Sequence, residues 1–246
     1  MSTAWLLSIP TDQLRPLLDA IKRDHPEWDG SSESLRITFI EGKIDPKAVY
    51  SKYYSTKEPW MVVTYGWKSS SLWRLADICE GEDAYGKPLH KGKTVWIDVL
   101  ITRQFSTEEE ALNSQQVVKI TAKTYGSAFE HLVVADMAPD GGSILDRAWC
   151  QAELATTTST DGIIITVVGD WGAVKARLDT TGNDFFNRMV ASVTDDVALV
   201  QEFALDRFGS PEGFNRAVHE GVVGKLEAAH LYNEGCDHYY GHNGKD

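Results

Sequence analysis

Along the chain, short apolar runs alternate with stretches whose apolar residues recur every three or four positions. In residues 11–24, Leu14, Leu17, Leu18 and Ile21 fall at helical spacing, with Thr11 placed to cap a helix and Pro26 to stop it. Residues 35–40 alternate apolar and polar, which predicts a strand. Residues 42–56 are polar and tyrosine-rich and read as a linker. From Pro59 four runs follow, at 60–65, 95–101, 131–137 and 163–168, each rich in Val and Ile and nearly continuous. Such runs suit strands buried on both faces, as in a parallel sheet.

Helical segments lie between these runs. Leu72, Leu75, Ala76 and Cys79 make one face, Ser106-Thr107-Glu108-Glu109 has the form of a capping box, and residues 144–154 supply a third helix. Strand and helix in alternation imply a doubly wound α/β domain, which binds ligands at the carboxyl ends of its strands. The last third is helical. Val197, Val200, Ala204 and Phe208 share a face, Ser210-Pro211 opens a second helix, and Phe214, Val218, Val222 and Leu226 recur every four residues. The organisation expected is an N-terminal extension over 1–58, an α/β domain over 59–178, packed helices over 179–232 and a flexible tail over 233–246.

Composition narrows the function classes. The 246 residues carry 24 Lys+Arg against 36 Asp+Glu, a net charge of −12. An acidic surface repels phosphate backbones and anionic lipid, so neither nucleic acid nor a membrane is the expected partner. No apolar stretch is long enough to span a bilayer, and the first residues lack the pattern of a signal peptide. Cys79, Cys150 and Cys236 are odd in number and far apart, which fits a reducing, cytoplasmic setting better than disulfides or a zinc site. The segment 81–88 nearly spells a phosphate-binding loop, but Pro88 stands where a hydroxyl residue would hold magnesium. Cys236, His238 and His242 lie in the polar tail, and no metal site is expected. Asp195-Asp196 opens a helical run and suits its dipole.

One segment carries chemistry. In Arg147-Ala148-Trp149-Cys150-Gln151-Ala152-Glu153-Leu154, Trp149 and Glu153 are four apart and share a helix face. A carboxylate beside an indole at the mouth of a sheet is partly desolvated and can face a cationic or oxocarbenium-like centre. The plain alternative is that Trp149 and Leu154 pack on the sheet while Glu153 sits in water.

The run Arg-Ala-Trp-Cys-x-x-Glu-Leu resembles the third-helix signature of Toll/interleukin-receptor-like (TIR-like) domains. Trp60-Met61-Val62-Val63-Thr64-Tyr65-Gly66-Trp67 resembles the first strand and loop of an algal and oomycete TIR-like group, with Tyr65 where that group has His. Thr94-Val95-Trp96-Ile97-Asp98-Val99-Leu100 resembles its Phe-Trp-Ile-Asp strand, and Arg103-Gln104 stands where Asn-Gln is usual. The resemblance covers residues 59–170. It implies a flavodoxin-like sheet of five parallel strands and, in the enzymatic members, cleavage of the nicotinamide–ribose bond of NAD. In that case Glu153 is the catalytic carboxylate, Trp149 shapes the pocket, and Tyr65, Trp67, Ser69 and Asp98 position the dinucleotide. NAD is then the substrate and no resident cofactor is needed. Catalytic members self-associate to complete the site. Other members are non-enzymatic interaction modules, for which the surfaces here would be 81–93 and the C-terminal helices. A sugar- or nucleoside-binding protein on the same sheet is a third reading.

Overall fold

The computed structural model describes residues 7–81, 89–102, 114–191 and 194–230. The capping box at 106–109, the Arg103-Gln104 pair, most of the segment 81–88 and the tail from 231, with Cys236, His238 and His242, lie outside the described residues. The fold is mixed α/β. Among the described residues the strands form a five-stranded sheet, and the chain divides into two compact units, Met1–Val63 with Trp67–Asn113 and Thr64–Gly66 with Ser114–Asp246.

The first unit begins with β1 (Ile9–Pro10), a 3-10 turn at Thr11–Gln13 and α1 (Leu14–Asp24). The face made by Leu14, Leu17, Leu18 and Ile21 is buried. Thr11 does not cap this helix: its hydroxyl donates to the His90 carbonyl at 2.7 Å. The expected strand at 35–40 is instead α2 (Ser32–Glu41). The cause is the turn before it. Asp29 Oδ1 accepts the Ser31 amide at 2.8 Å, Gly30 takes φ +93°, and the Ser31 hydroxyl accepts the Ser34 amide as N-cap. Leu35 and Phe39, four apart, are buried, whereas Ile37 is 46% exposed. A strand would have put all three on one face.

The linker expected at 42–56 holds α3 (Pro46–Val49), capped by Asp45 with Pro46 at its first position, and buries Tyr50 and Tyr53. Then come β2 (Met61–Thr64), α4 (Leu72–Glu80) with its predicted face buried, β3 (Thr94–Trp96) and α5 (Asp98–Ile101). The run at 95–101 is therefore strand only as far as Trp96. β2 pairs with β3 in parallel, and β1 lies antiparallel beside β3, with Ile9 opposite Val95. The sheet is thus mixed, not the all-parallel one expected. A two-residue edge strand was missed because it is too short to leave an alternating pattern.

The second unit contains Thr64, α6 (Ser114–Ser127), β4 (Glu130–Val134), α7 (Ala148–Thr158), β5 (Ile164–Val168), α8 (Trp171–Thr181), α9 (Thr194–Phe208) and α10 (Pro211–Ala217), which runs on through a π-helical turn at Val218–Val223. The strand order across the whole sheet is β1-β3-β2-β4-β5, and β4 pairs with β5 in parallel from Glu130↔Ile164 to Val134↔Val168. The C-terminal helices behave as their spacing predicts, with Val200, Ala204, Phe214, Val218, Val222 and Leu226 buried and Ser210 capping α10. No run announced α8. Its signal is Gly169-Asp170, a left-handed glycine followed by a side chain that caps the Ala173 amide.

α7 is buried on nearly every side. Its C-terminal half contains three consecutive threonines, yet their hydroxyls are satisfied. Thr156, Thr157 and Thr158 each donate to the carbonyl four residues earlier, at 2.8, 3.0 and 2.8 Å. The helix can therefore lie deep in the unit and still present a carboxylate from its middle.

Candidate functional site

Glu153 lies five residues into α7, about one and a half turns from its first residue. It is 8% exposed, so the alternative that left it in water is excluded. Its carboxylate meets the last residue of β2: the Thr64 hydroxyl donates to Glu153 Oε2 at 2.7 Å. The same hydroxyl lies 2.8 Å from Nε2 of His131, on β4. Thr64 and His131 are fully buried, and Tyr125 stands edge-on to the imidazole with ring centroids 5.1 Å apart. A carboxylate, a hydroxyl and an imidazole thus converge inside one unit.

Burial governs the imidazole. Without water around it the charged form is disfavoured, and its pKa is pushed down to about 3. His131 is therefore neutral in ordinary buffers and carries one ring proton. Its other nitrogen, Nδ1, is buried and has no hydrogen-bond partner among the described residues.

The remaining site residues fall in two groups. In the second unit, Tyr65 is buried and its carbonyl accepts from Cys150 Sγ at 3.6 Å. Trp149 is half-buried, and its indole N–H donates to Asp196 Oδ2 at 2.9 Å. Asp196, in the first turn of α9, thus anchors the tryptophan as well as meeting the helix dipole. In the first unit, Trp67 and Asp98 come together: Trp67 Nε1 donates to Asp98 Oδ2 at 2.9 Å, and the Arg36 guanidinium lies 5.4 Å from the Trp67 ring centroid. Asp98 opens α5 rather than closing a strand, and its Oδ1 accepts the Val99 amide at 2.7 Å. Ser69 is half-buried.

Sequence reasoning missed Thr64 and His131. One signal was available. A histidine opening the run His131-Leu132-Val133-Val134-Ala135, and a threonine ending Met61-Val62-Val63-Thr64, are polar groups in strands that read as buried on both faces. Such groups need a partner.

Among the described residues no three His, Cys, Asp or Glu side chains gather as a metal site, and no helix is long and apolar enough to cross a membrane. Cys79 and Cys150 are buried, and neither forms a disulfide among the described residues. Compared with family models, curated proteins and solved structures, the chain finds no match in any of the three.

Proposed function

We propose that the chain is a TIR-like nucleotide-processing enzyme that hydrolyses the N-glycosidic bond of NAD or a related nucleotide, with Glu153 as the acting carboxylate. The observation that carries the reading is the placement of Glu153: buried on α7 and held by the hydroxyl that ends β2. The carboxyl ends of strands are where open α/β sheets bind ligands. The order β3-β2-β4-β5 adds support, since it reproduces the 2-1-3-4 start of a flavodoxin-like sheet.

The chemistry follows from charge. As the bond from C1′ to the pyridinium nitrogen breaks, its electron pair leaves with nicotinamide and positive charge builds on the ribose. A carboxylate in a desolvated site stabilises that charge more strongly than water does. Water then adds to C1′ and releases a proton. Nicotinamide leaves as a neutral molecule, so no general acid is required. Trp149, one turn before Glu153 on α7, supplies apolar surface beside the carboxylate. Tyr65, in the same unit, is the proposed contact to the dinucleotide.

The test is nicotinamide release from NAD by the purified chain and by Glu153→Ala. The expected loss is about 100-fold or more, the scale of removing one transition-state electrostatic contact. Undiminished activity in the variant removes Glu153 from the mechanism.

A second reading, a non-enzymatic TIR-like interaction module, is favoured by one observation. Phe129 and Ile164 are each 50% exposed and adjoin through the Ile164 amide, which donates to the Phe129 carbonyl at 3.0 Å. Concentration-dependent assembly by light scattering, abolished by Ile164→Lys and without nucleotide turnover, would select it.

A further inference from the structure

We propose that Thr64 and His131 are positioning residues that fix the charge and orientation of Glu153: the imidazole donates Nε2–H to Thr64 Oγ1, and the Thr64 hydroxyl donates to Glu153 Oε2. The inference rests on Glu153 being the acting carboxylate and assigns it a support that the sequence motif does not contain.

The argument is one of counting protons. Thr64 Oγ1 lies 2.7 Å from a carboxylate oxygen and 2.8 Å from a ring nitrogen, and it has a single proton to give. If the proton goes to Glu153, Nε2 must carry the imidazole hydrogen. If it goes to Nε2, the carboxyl must itself be protonated to reach Thr64, and the imidazole hydrogen moves to Nδ1. Nδ1 is buried with no hydrogen-bond partner among the described residues. A hydrogen there would be an orphaned donor, a rarer thing in proteins than an orphaned lone pair. The geometry therefore selects the first arrangement, in which the Thr64 hydroxyl donates to Glu153 Oε2, a bond that is charge-assisted when the carboxyl is ionised. Donation to the ionised form also stabilises it against protonation. The titratable groups that the described contacts place around the chain of bonds are Tyr125, edge-on to His131, and Cys150, one turn before Glu153 on α7.

Two measurements test this. In the full chain labelled with 15N-histidine, long-range 15N–1H correlation, assigned by loss of the signal in His131→Gln, should show His131 protonated at Nε2 and bare at Nδ1, unchanged from pH 5 to 8. A proton on Nδ1, or an imidazolium in that range, overturns the proposal. In the nicotinamide-release assay, Thr64→Val should move the acid limb of the pH profile up by about one unit, because the carboxylate loses the Thr64 donor. Thr64→Ser should restore the limb, and His131→Gln, which keeps an N–H near the Nε2 position, should leave it in place. A Thr64→Val enzyme that is uniformly slower with an unmoved limb would show a merely structural role. Should the wild-type chain release no nicotinamide, the functional reading fails, and the 15N experiment still decides the hydrogen-bond chain.

Discussion

Two buried carboxylates in the second unit, Asp146 and Glu153, are held in different ways. Asp146 meets two guanidinium groups, Arg177 Nε at 2.6 Å and Arg188 Nε at 3.4 Å, and accepts the amide and hydroxyl of Ser143 at 2.9 and 3.1 Å. It ties the turn before α7 to the C-terminal half of α8 and to the segment after it. Glu153 meets the hydroxyl of Thr64, which is backed by a neutral imidazole. Arginines neutralise a carboxylate, and the cost of its burial is offset by the pairing. A hydroxyl orients a carboxylate without cancelling its charge. Asp146 is built as a staple, whereas Glu153 is oriented by a hydroxyl backed by an imidazole.

The comparison breaks most readily at Asp146. Asp146→Ala leaves two partly buried guanidinium groups without their counter-charge, and a loss of about 3–5 kcal/mol is expected in urea unfolding. Glu153→Gln retains size and an acceptor for Thr64, so its unfolding midpoint should move far less. Equal losses at both positions would erase the distinction between the two carboxylates.

The next effect concerns pH. His131 takes up a proton near pH 3 in the folded chain and at its ordinary 6.5 when unfolded. Between these values the unfolded state binds more protons, so stability is full above pH 6.5 and falls as the pH drops, by about 1.4 kcal/mol per unit. His131→Gln should flatten that slope, read as unfolding midpoints between pH 7 and 5. Asp146 variants should leave it in place.

A smaller effect sharpens the link between α7 and its surroundings. Trp149→Phe keeps the ring but loses the bond to Asp196, at a cost of about 1 kcal/mol in the same unfolding assay. The smallest lies in the first unit and tests α2. Ile37→Glu should change stability by about 0.5 kcal/mol or less, whereas Phe39→Ala should cost about 3–5 kcal/mol. Similar large losses at both positions would favour the strand that the alternation at 35–40 suggested.

Much of the fold was legible because its signals are local. The faces of α1, α4, α9 and α10 follow from spacing, and the four continuous apolar runs all contain strands. The misreadings also have local causes. At 35–40 the alternation Leu-Arg-Ile-Thr-Phe-Ile also places Leu35 and Phe39 one helical turn apart, and the capping turn Asp29-Gly30-Ser31 decides between the two. At 42–56 Asp45-Pro46 is a helix start that tyrosine-rich composition obscured. The site was legible in part. Trp149 and Glu153 share one helix, so their spacing speaks for them. Thr64 and His131 lie 89 and 22 residues from Glu153 in the chain, and only the paths of β2 and β4 bring them to it.

The most direct test is nicotinamide release from NAD by the wild-type chain and by Glu153→Gln, at matched thermal stability. Steady release by the wild type and loss of it in the variant is the predicted result. Release by Glu153→Gln at the wild-type rate would contradict the assignment of this carboxylate to catalysis.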